Sequence, residues 1–104
     1  MRTFSIILAD DAQNILYGMQ KGINWEELGF IVAGTAQNGK EVLEMMDDLH
    51  PDLVISDIKM PFMDGLELAK TIHDNYMNTK VILFSGWDDF EYARLAISYG
   101  VSEY

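Results

Sequence analysis

The chain of 104 residues contains no cysteine, and its 17 acidic residues outnumber seven lysines and arginines. Without cysteine it can form no disulfide and carry out no thiol chemistry. A formal net charge of −10 argues against direct nucleic-acid binding by this domain, because phosphate backbones repel an acidic surface without a basic patch. No apolar run reaches the roughly 18 residues of a membrane span, and no signal peptide is recognisable. We therefore expect a cytoplasmic protein without membrane contact.

The remaining composition is that of an ordinary globular domain. Hydrophobic residues make up 49% of the chain and charged residues 23%, which is sufficient for a packed core. Domains commonly have about 100–150 residues. The length therefore predicts one domain over residues 1–104.

Short apolar segments alternate with segments of helical periodicity. The predicted strands are residues 4–9, 30–35, 53–56 and 81–84, and Asn38 with Gly39 is predicted to cap the second helix. Apolar residues at helical spacing follow each strand: Ala12, Ile15, Leu16, Met19 and Ile23; Val42, Met45, Met46 and Leu49; Leu66, Leu68, Ala69, Ile72 and Tyr76; and Phe90, Ala93, Ala96 and Ile97. This alternation predicts a parallel sheet with helices on both faces, the doubly wound α/β fold.

Three acidic residues stand at predicted strand ends. Asp10 and Asp11 end the first strand, and Asp57 ends the third. These strands are neighbours in the flavodoxin-like order 2-1-3-4-5, and ligands bind at the carboxyl ends of such strands. Converging carboxylates attract a hard divalent cation, Mg²⁺, Mn²⁺ or Ca²⁺, of which we expect Mg²⁺. An aspartate can act as a nucleophile towards a phosphoryl group.

A simpler interpretation exists for each acid taken singly. Asp10 or Asp11 could cap the first helix, and Asp57 could begin a turn, since aspartate is common at both kinds of position. The three acids together, each at a strand end, favour a metal-assisted phosphoryl site.

Four segments carry a resemblance to a known family. They are Asp-Ile-Lys-Met-Pro-Phe-Met-Asp-Gly at 57–65, Ile-Ile-Leu-Ala-Asp-Asp at 6–11, Phe-Ser-Gly at 84–86 and Ala-Ile-Ser-Tyr-Gly-Val at 96–101. In this order they resemble the receiver domains of bacterial two-component response regulators. The stretches 24–30 and 85–93 are most similar to receivers attached to AraC-type helix-turn-helix effectors.

The resemblance implies a role for each matching site residue. Asp57 would be the phosphoacceptor and the one catalytic residue. Mg²⁺ would be held by Asp11, by Asp57 and by the backbone carbonyl of Lys59, with Asp10 acting through a water molecule. Ser85 would contact the phosphoryl group, and Tyr104 would be the aromatic residue that moves with it.

The resemblance also implies partners and an activity. A sensor histidine kinase would supply the phosphoryl group, and a C-terminal effector that binds DNA would respond to it. The domain would be a signalling module rather than an enzyme, with at most self-catalysed phosphotransfer and dephosphorylation.

The family also has features that would follow Tyr104. The sequence ends where a fifth strand should begin, so we expect a C-terminally incomplete receiver whose fifth strand and last helix are truncated. The lysine that the family carries shortly after the switch aromatic is absent. Unpaired backbone groups and uncovered apolar surface would then favour self-association.

Three alternative functions compete with this one. A haloacid-dehalogenase-type phosphatase needs a second aspartate two residues after its nucleophile, where Lys59 stands. A nucleotide-binding domain would need a glycine-rich turn in place of Asp10 and Asp11. A receiver-like interaction module that works without phosphorylation remains open, although the complete set of acids argues against it.

Overall fold

The computed structural model describes residues 3–85, in which strands and helices alternate throughout. The elements are β1 (Phe4–Ala9), α1 (Gln13–Lys21), β2 (Phe30–Ala36), α2 (Gly39–Leu49), β3 (Leu53–Asp57), α3 (Gly65–Asn75) and β4 (Lys80–Phe84). Each predicted strand and the first three predicted helices are confirmed, with ends that differ by at most two residues. The fourth predicted helix and the expected start of a fifth strand lie outside the described residues. Among residues 3–85, every helix is too short or too polar for a membrane span.

The strands form a parallel sheet in the order β2-β1-β3-β4. In the register of β1 and β3, Ala9 pairs with Ser56, and in that of β3 and β4, Asp57 pairs with Phe84. The carboxyl ends of the central strands therefore meet at one edge of the sheet. This order confirms the predicted flavodoxin-like winding for the described strands.

The core has two layers because β1 is covered on both faces. Its side chains alternate, so that Ile6 and Leu8 face α1 while Ile7 and Ala9 face α2 and α3, and all four are fully buried. The helices complete the layers with Leu16 and Met19 on the first face and Val42, Met46, Leu68 and Ile72 on the second. Burial on both faces explains why β1 is apolar at successive positions.

One apolar residue of the helical repeat in α3 does not face the core. Leu66 is 59% exposed, whereas Leu68 and Ile72 are fully buried. Residues two apart on a helix point about 200° from each other, so Leu66 and Leu68 cannot both face the sheet. Leu68 and Ile72 share one side of the helix and pack against the sheet.

Trp25 links α1 to the start of β2, and its replacement should lower the free energy of unfolding. Its indole is 4% exposed, packs edge-on against Phe30 and donates from Nε1 to the carbonyl oxygen of Met19 at 2.9 Å. Trp25→Phe should destabilise the protein by about 1–2 kcal/mol, because that buried bond is lost. Urea denaturation measures the effect. Tyr17→Phe is the control, since Tyr17 is 65% exposed, and equal losses in both variants would contradict the argument.

Candidate functional site

The predicted convergence of three carboxylates is confirmed. Asp10 and Asp11 directly follow β1, and Asp57 is the last residue of the neighbouring strand β3. One carboxylate oxygen from each residue lies within 4.8 Å of the other two. Strand pairing brings these groups together although they are far apart in the sequence.

Backbone hydrogen bonds hold two of the three acids in place. The Asp10 carboxylate accepts from the N–H of Ala12 at 2.9 Å, and the residue is only 3% exposed. The Asp57 carboxylate accepts through Oδ1 from the N–H of Ile58 at 2.8 Å. Helix α1 has Ala12 at its N-cap and no side-chain cap bond, so neither Asp10 nor Asp11 caps it. The helix-cap interpretation of Asp10 and Asp11 is therefore wrong, and Asp57 is the last residue of β3.

The fold disfavours the ionised forms of Asp10 and Asp57. Burial, reinforced by the charges of Asp57 and Asp11, raises the pKa of Asp10 to about 6, and the bond from Ala12 only partly opposes this. Burial and the charge of Asp11 also raise the pKa of Asp57, against hydrogen bonds from Ile58 and Lys59 and the charge of Lys59. A proton or a cation at this point would relieve the repulsion.

The donor set fits a hard divalent cation. Three carboxylate oxygens converge, and oxygen ligands of this kind suit Mg²⁺ or Mn²⁺ rather than softer metals. An open cavity of about 570 Å³ adjoins the cluster on the side of Asp11 and leaves room for water or a phosphoryl group. It is lined by Asp11, Ile58, Lys59, Met60, Pro61 and Asp64.

The loop after Asp57 is tightly folded against α3. Gly65 donates from its N–H to the carbonyl oxygen of Ile58 at 2.8 Å, and a Cβ atom at Gly65 would collide with the carbonyl oxygen of Asp57. Gly65 is the first residue of α3, and Asp64 caps that helix by accepting from Glu67 N–H. Phe62 has a φ of 67° and is 87% exposed at the outside of the loop.

The two predicted switch residues have different outcomes. Ser85 follows Phe84, the residue that pairs with Asp57, so it lies at the same sheet edge as the acids and is exposed. Its contact with a phosphoryl group remains a prediction. Tyr104 lies outside the described residues.

The raised pKa of Asp10 predicts a pH-dependent stability. Because the folded-state pKa of about 6 exceeds the ordinary value of 3.8, the stabilising contribution is complete below about pH 4 and is lost as pH rises through about 6. In metal-free buffer, Asp10→Asn should be more stable than wild type at neutral pH by on the order of 2–3 kcal/mol. The two proteins should be equally stable near pH 4.

Urea denaturation in EDTA across this pH range measures the difference. Asparagine can still accept the hydrogen bond from Ala12, so the substitution removes the charge and retains that contact. Parallel stability curves for the two proteins would show that Asp10 ionises in the folded state as easily as in the unfolded chain.

Fold and site together define a class of protein. This is a doubly wound α/β domain with an acidic, cation-suited site at the carboxyl ends of its central strands. The sequence profile of the response regulator receiver domain matches residues 6–104, and the chain belongs to that family.

Known proteins support this assignment. The chain is 46% identical over 101 residues to the transcriptional regulatory protein YesN of Bacillus subtilis, covering 97% of this chain and 27% of YesN. The receiver domain of AraT, a response regulator from Geobacillus stearothermophilus, superposes with a TM-score of 0.77 at 34% identity, covering 98% of this chain and 79% of that one.

A second solved structure belongs to a named class of regulator. The two-component transcriptional regulator AraC from Clostridium phytofermentans gives a TM-score of 0.73 at 33% identity, over 88% of this chain and 74% of that one. The predicted likeness to receivers of AraC-type regulators is confirmed by these relatives.

Proposed function

We propose that this chain is the phosphorylated receiver of a two-component transcription regulator, with Asp57 as the phosphoacceptor in a Mg²⁺-dependent reaction. The observation that carries the proposal is the convergence of Asp10, Asp11 and Asp57 within 4.8 Å at neighbouring strand ends. A sensor histidine kinase would be the phosphoryl donor.

The geometry of Asp57 suits nucleophilic attack. Its Oδ1 accepts from Ile58 N–H, which orients the carboxylate and leaves Oδ2 to attack the phosphorus of a phosphohistidine. The new bond joins Oδ2 to phosphorus, the phosphorus–nitrogen bond breaks, and its electron pair returns to the imidazole ring, which takes up a proton. Asp57 becomes an acyl phosphate.

The neighbouring acids would hold the cation. Asp11 and Asp57 would bind Mg²⁺ directly with the backbone carbonyl of Lys59, and Asp10 would act through water. When bound, Mg²⁺ neutralises negative charge on the transferring phosphoryl group. Asp10 is the third acid of the cluster, and the hydrogen bond from Ala12 N–H holds its buried carboxylate in place.

The response would pass from the acyl phosphate to an effector domain. Ser85 lies at the right sheet edge to bond a phosphoryl oxygen, and Tyr104 would follow its movement. By analogy with the AraC-type relatives, the effector would be a DNA-binding domain, and the receiver itself would not bind nucleic acid. Its role would be signalling in the cytoplasm.

Intact-mass measurement tests the proposal. The full-length protein, incubated with acetyl phosphate or the purified kinase, should gain one phosphoryl group with Mg²⁺ and none with EDTA. The modification should be labile to hydroxylamine, as an acyl phosphate is. No gain in mass despite bound Mg²⁺ would favour a phosphorylation-independent module, and repeated release of phosphate from a phosphomonoester would favour a phosphatase.

A further inference from the structure

We propose that the connector between β2 and α2, residues 36–39, fixes the distance between Asp10 and the loop after Asp57, with Gly39 as a positioning residue. The inference rests on the proposed function, because the spacing is that of the proposed Mg²⁺ ligands. None of the connector residues belongs to the predicted site.

The connector holds the first half of the site through Ala36. The carbonyl oxygen of Ala36 accepts from the N–H of Asp10 at 3.0 Å, and Ala36 pairs with Ala9 in the sheet. Ala36 is 2% exposed, so neither partner can shift without disturbing the core. The backbone of Asp10 is therefore fixed to the connector.

The other end of the connector holds the loop after Asp57. Gly39 donates from its N–H to the carbonyl oxygen of Met63 at 2.9 Å. The first N–H groups of a helix have no partner inside the helix, so this donor is available at the start of α2. Within residues 3–85, no other backbone–backbone hydrogen bond joins residues 59–63 to a different element. Gly39 therefore holds the Met63 end of the loop, whereas the hydrogen bonds of Ile58 and Lys59 hold the end next to Asp57.

The contact requires glycine. A Cβ atom at Gly39 would lie 2.8 Å from Met63 Cγ and 2.9 Å from the Met63 carbonyl oxygen. The carbonyl oxygen belongs to the backbone, so it can move aside only if the loop moves. A methyl group at this position would push the loop away from α2. The distance between the loop and Asp10 would then change.

The connector is itself rigid. The side chain of Asn38, which is 8% exposed, accepts from Glu41 N–H at 2.9 Å. Glu41 Oε1 in turn accepts from Gln37 N–H at 2.8 Å, which completes a reciprocal cap of α2. Because the cap fixes its backbone, the connector can act as a spacer between Asp10 and Met63.

The test compares two glycine variants in the full-length protein. Gly39→Ala should weaken Mg²⁺ binding about 10-fold, the usual effect of losing a group that orients metal ligands. Gly34→Ala is the matched control, because its Cβ would meet Met45 Sδ at 2.9 Å and Leu49 Cδ1 at 3.2 Å, both at the flexible ends of side chains. Its affinity should stay within about twofold of wild type. Calorimetry with Mg²⁺ measures affinity, and urea denaturation compares stability.

The outcomes separate this inference from the proposed function. If wild type binds no Mg²⁺, the proposed function fails. If wild type binds Mg²⁺ and folded Gly39→Ala binds it equally well, or no worse than Gly34→Ala, the connector does not position the site.

A second pair of variants covers the case in which Gly39→Ala does not fold. Asn38→Ala removes the cap and should weaken Mg²⁺ binding several-fold, whereas Asn38→Ser retains a capping oxygen and should stay near wild type. The loss of Mg²⁺ affinity in Asn38→Ala should be accompanied by faster hydrogen exchange at the Gly39 amide. Asn38→Ser should not show this faster exchange. Equal affinity of wild type and both Asn38 variants would overturn the inference.

Discussion

Replacing Asp57 with asparagine should abolish phosphorylation of the protein completely. The amide has nearly the shape of the carboxylate but lacks the nucleophilic oxygen that forms the acyl phosphate. It can still accept the hydrogen bond from Ile58, and it removes one charge from the acidic cluster, so the fold should be at least as stable as wild type. Intact-mass measurement after incubation with acetyl phosphate and Mg²⁺ should show only unmodified protein.

Asp64→Asn is the matched control for this substitution. Asp64 is exposed, lines the same cavity and caps α3, and asparagine caps helices equally well. This variant should be phosphorylated to the same extent as wild type. Undiminished labelling of Asp57→Asn would place the acceptor elsewhere, and loss of labelling in both variants would show that the loop rather than Asp57 is required.

Replacing Asp11 with asparagine should lower the affinity for Mg²⁺ by about 10-fold or more, because a charged oxygen ligand is lost. Mg²⁺ at about 100 times its dissociation constant should stabilise wild type by about 2.7 kcal/mol. The same concentration should stabilise a variant with tenfold weaker binding by about 1.4 kcal/mol less. Urea denaturation with Mg²⁺ and with EDTA measures both values.

Asp74→Asn provides the comparison. Asp74 is an exposed carboxylate near the C-terminal end of α3, whereas the loop beside the site joins the N-terminal end of that helix. Its removal changes the net charge equally, and the stabilisation by Mg²⁺ should remain that of wild type. Equal stabilisation of wild type and Asp11→Asn would exclude Asp11 as a ligand.

Much of the fold follows from the sequence because buried residues recur at a regular spacing along each strand and each helix. A parallel strand that is covered on both faces must be apolar at successive positions, as residues 6–9 of β1 are. A helix against a sheet repeats its apolar residues every three or four positions. The acids are recognisable for the same reason. Asp10, Asp11 and Asp57 stand where these apolar runs stop, and strand ends in a doubly wound sheet share one edge.

The sequence was less informative where several positions satisfy the same pattern. Leu66 and Leu68 both fit a helical apolar repeat, and only packing against the sheet selected Leu68 and Ile72. Asn38 and Gly39 were recognised as a helix cap, which is a local signal. The hydrogen bond from Gly39 to Met63 has no such signal, because no local periodicity relates the two residues.

The order of strands and helices, and the acids at the strand ends, can be recognised without coordinates, since both depend on short-range burial and hydrogen bonding. Three properties need the folded molecule: how closely the three carboxylates approach, how far burial raises the pKa of Asp10, and that the connector of residues 36–39 contacts both Asp10 and the loop after Asp57. These properties depend on the spacing between chain segments that are distant in sequence. That spacing arises when the helices pack on the two faces of the sheet.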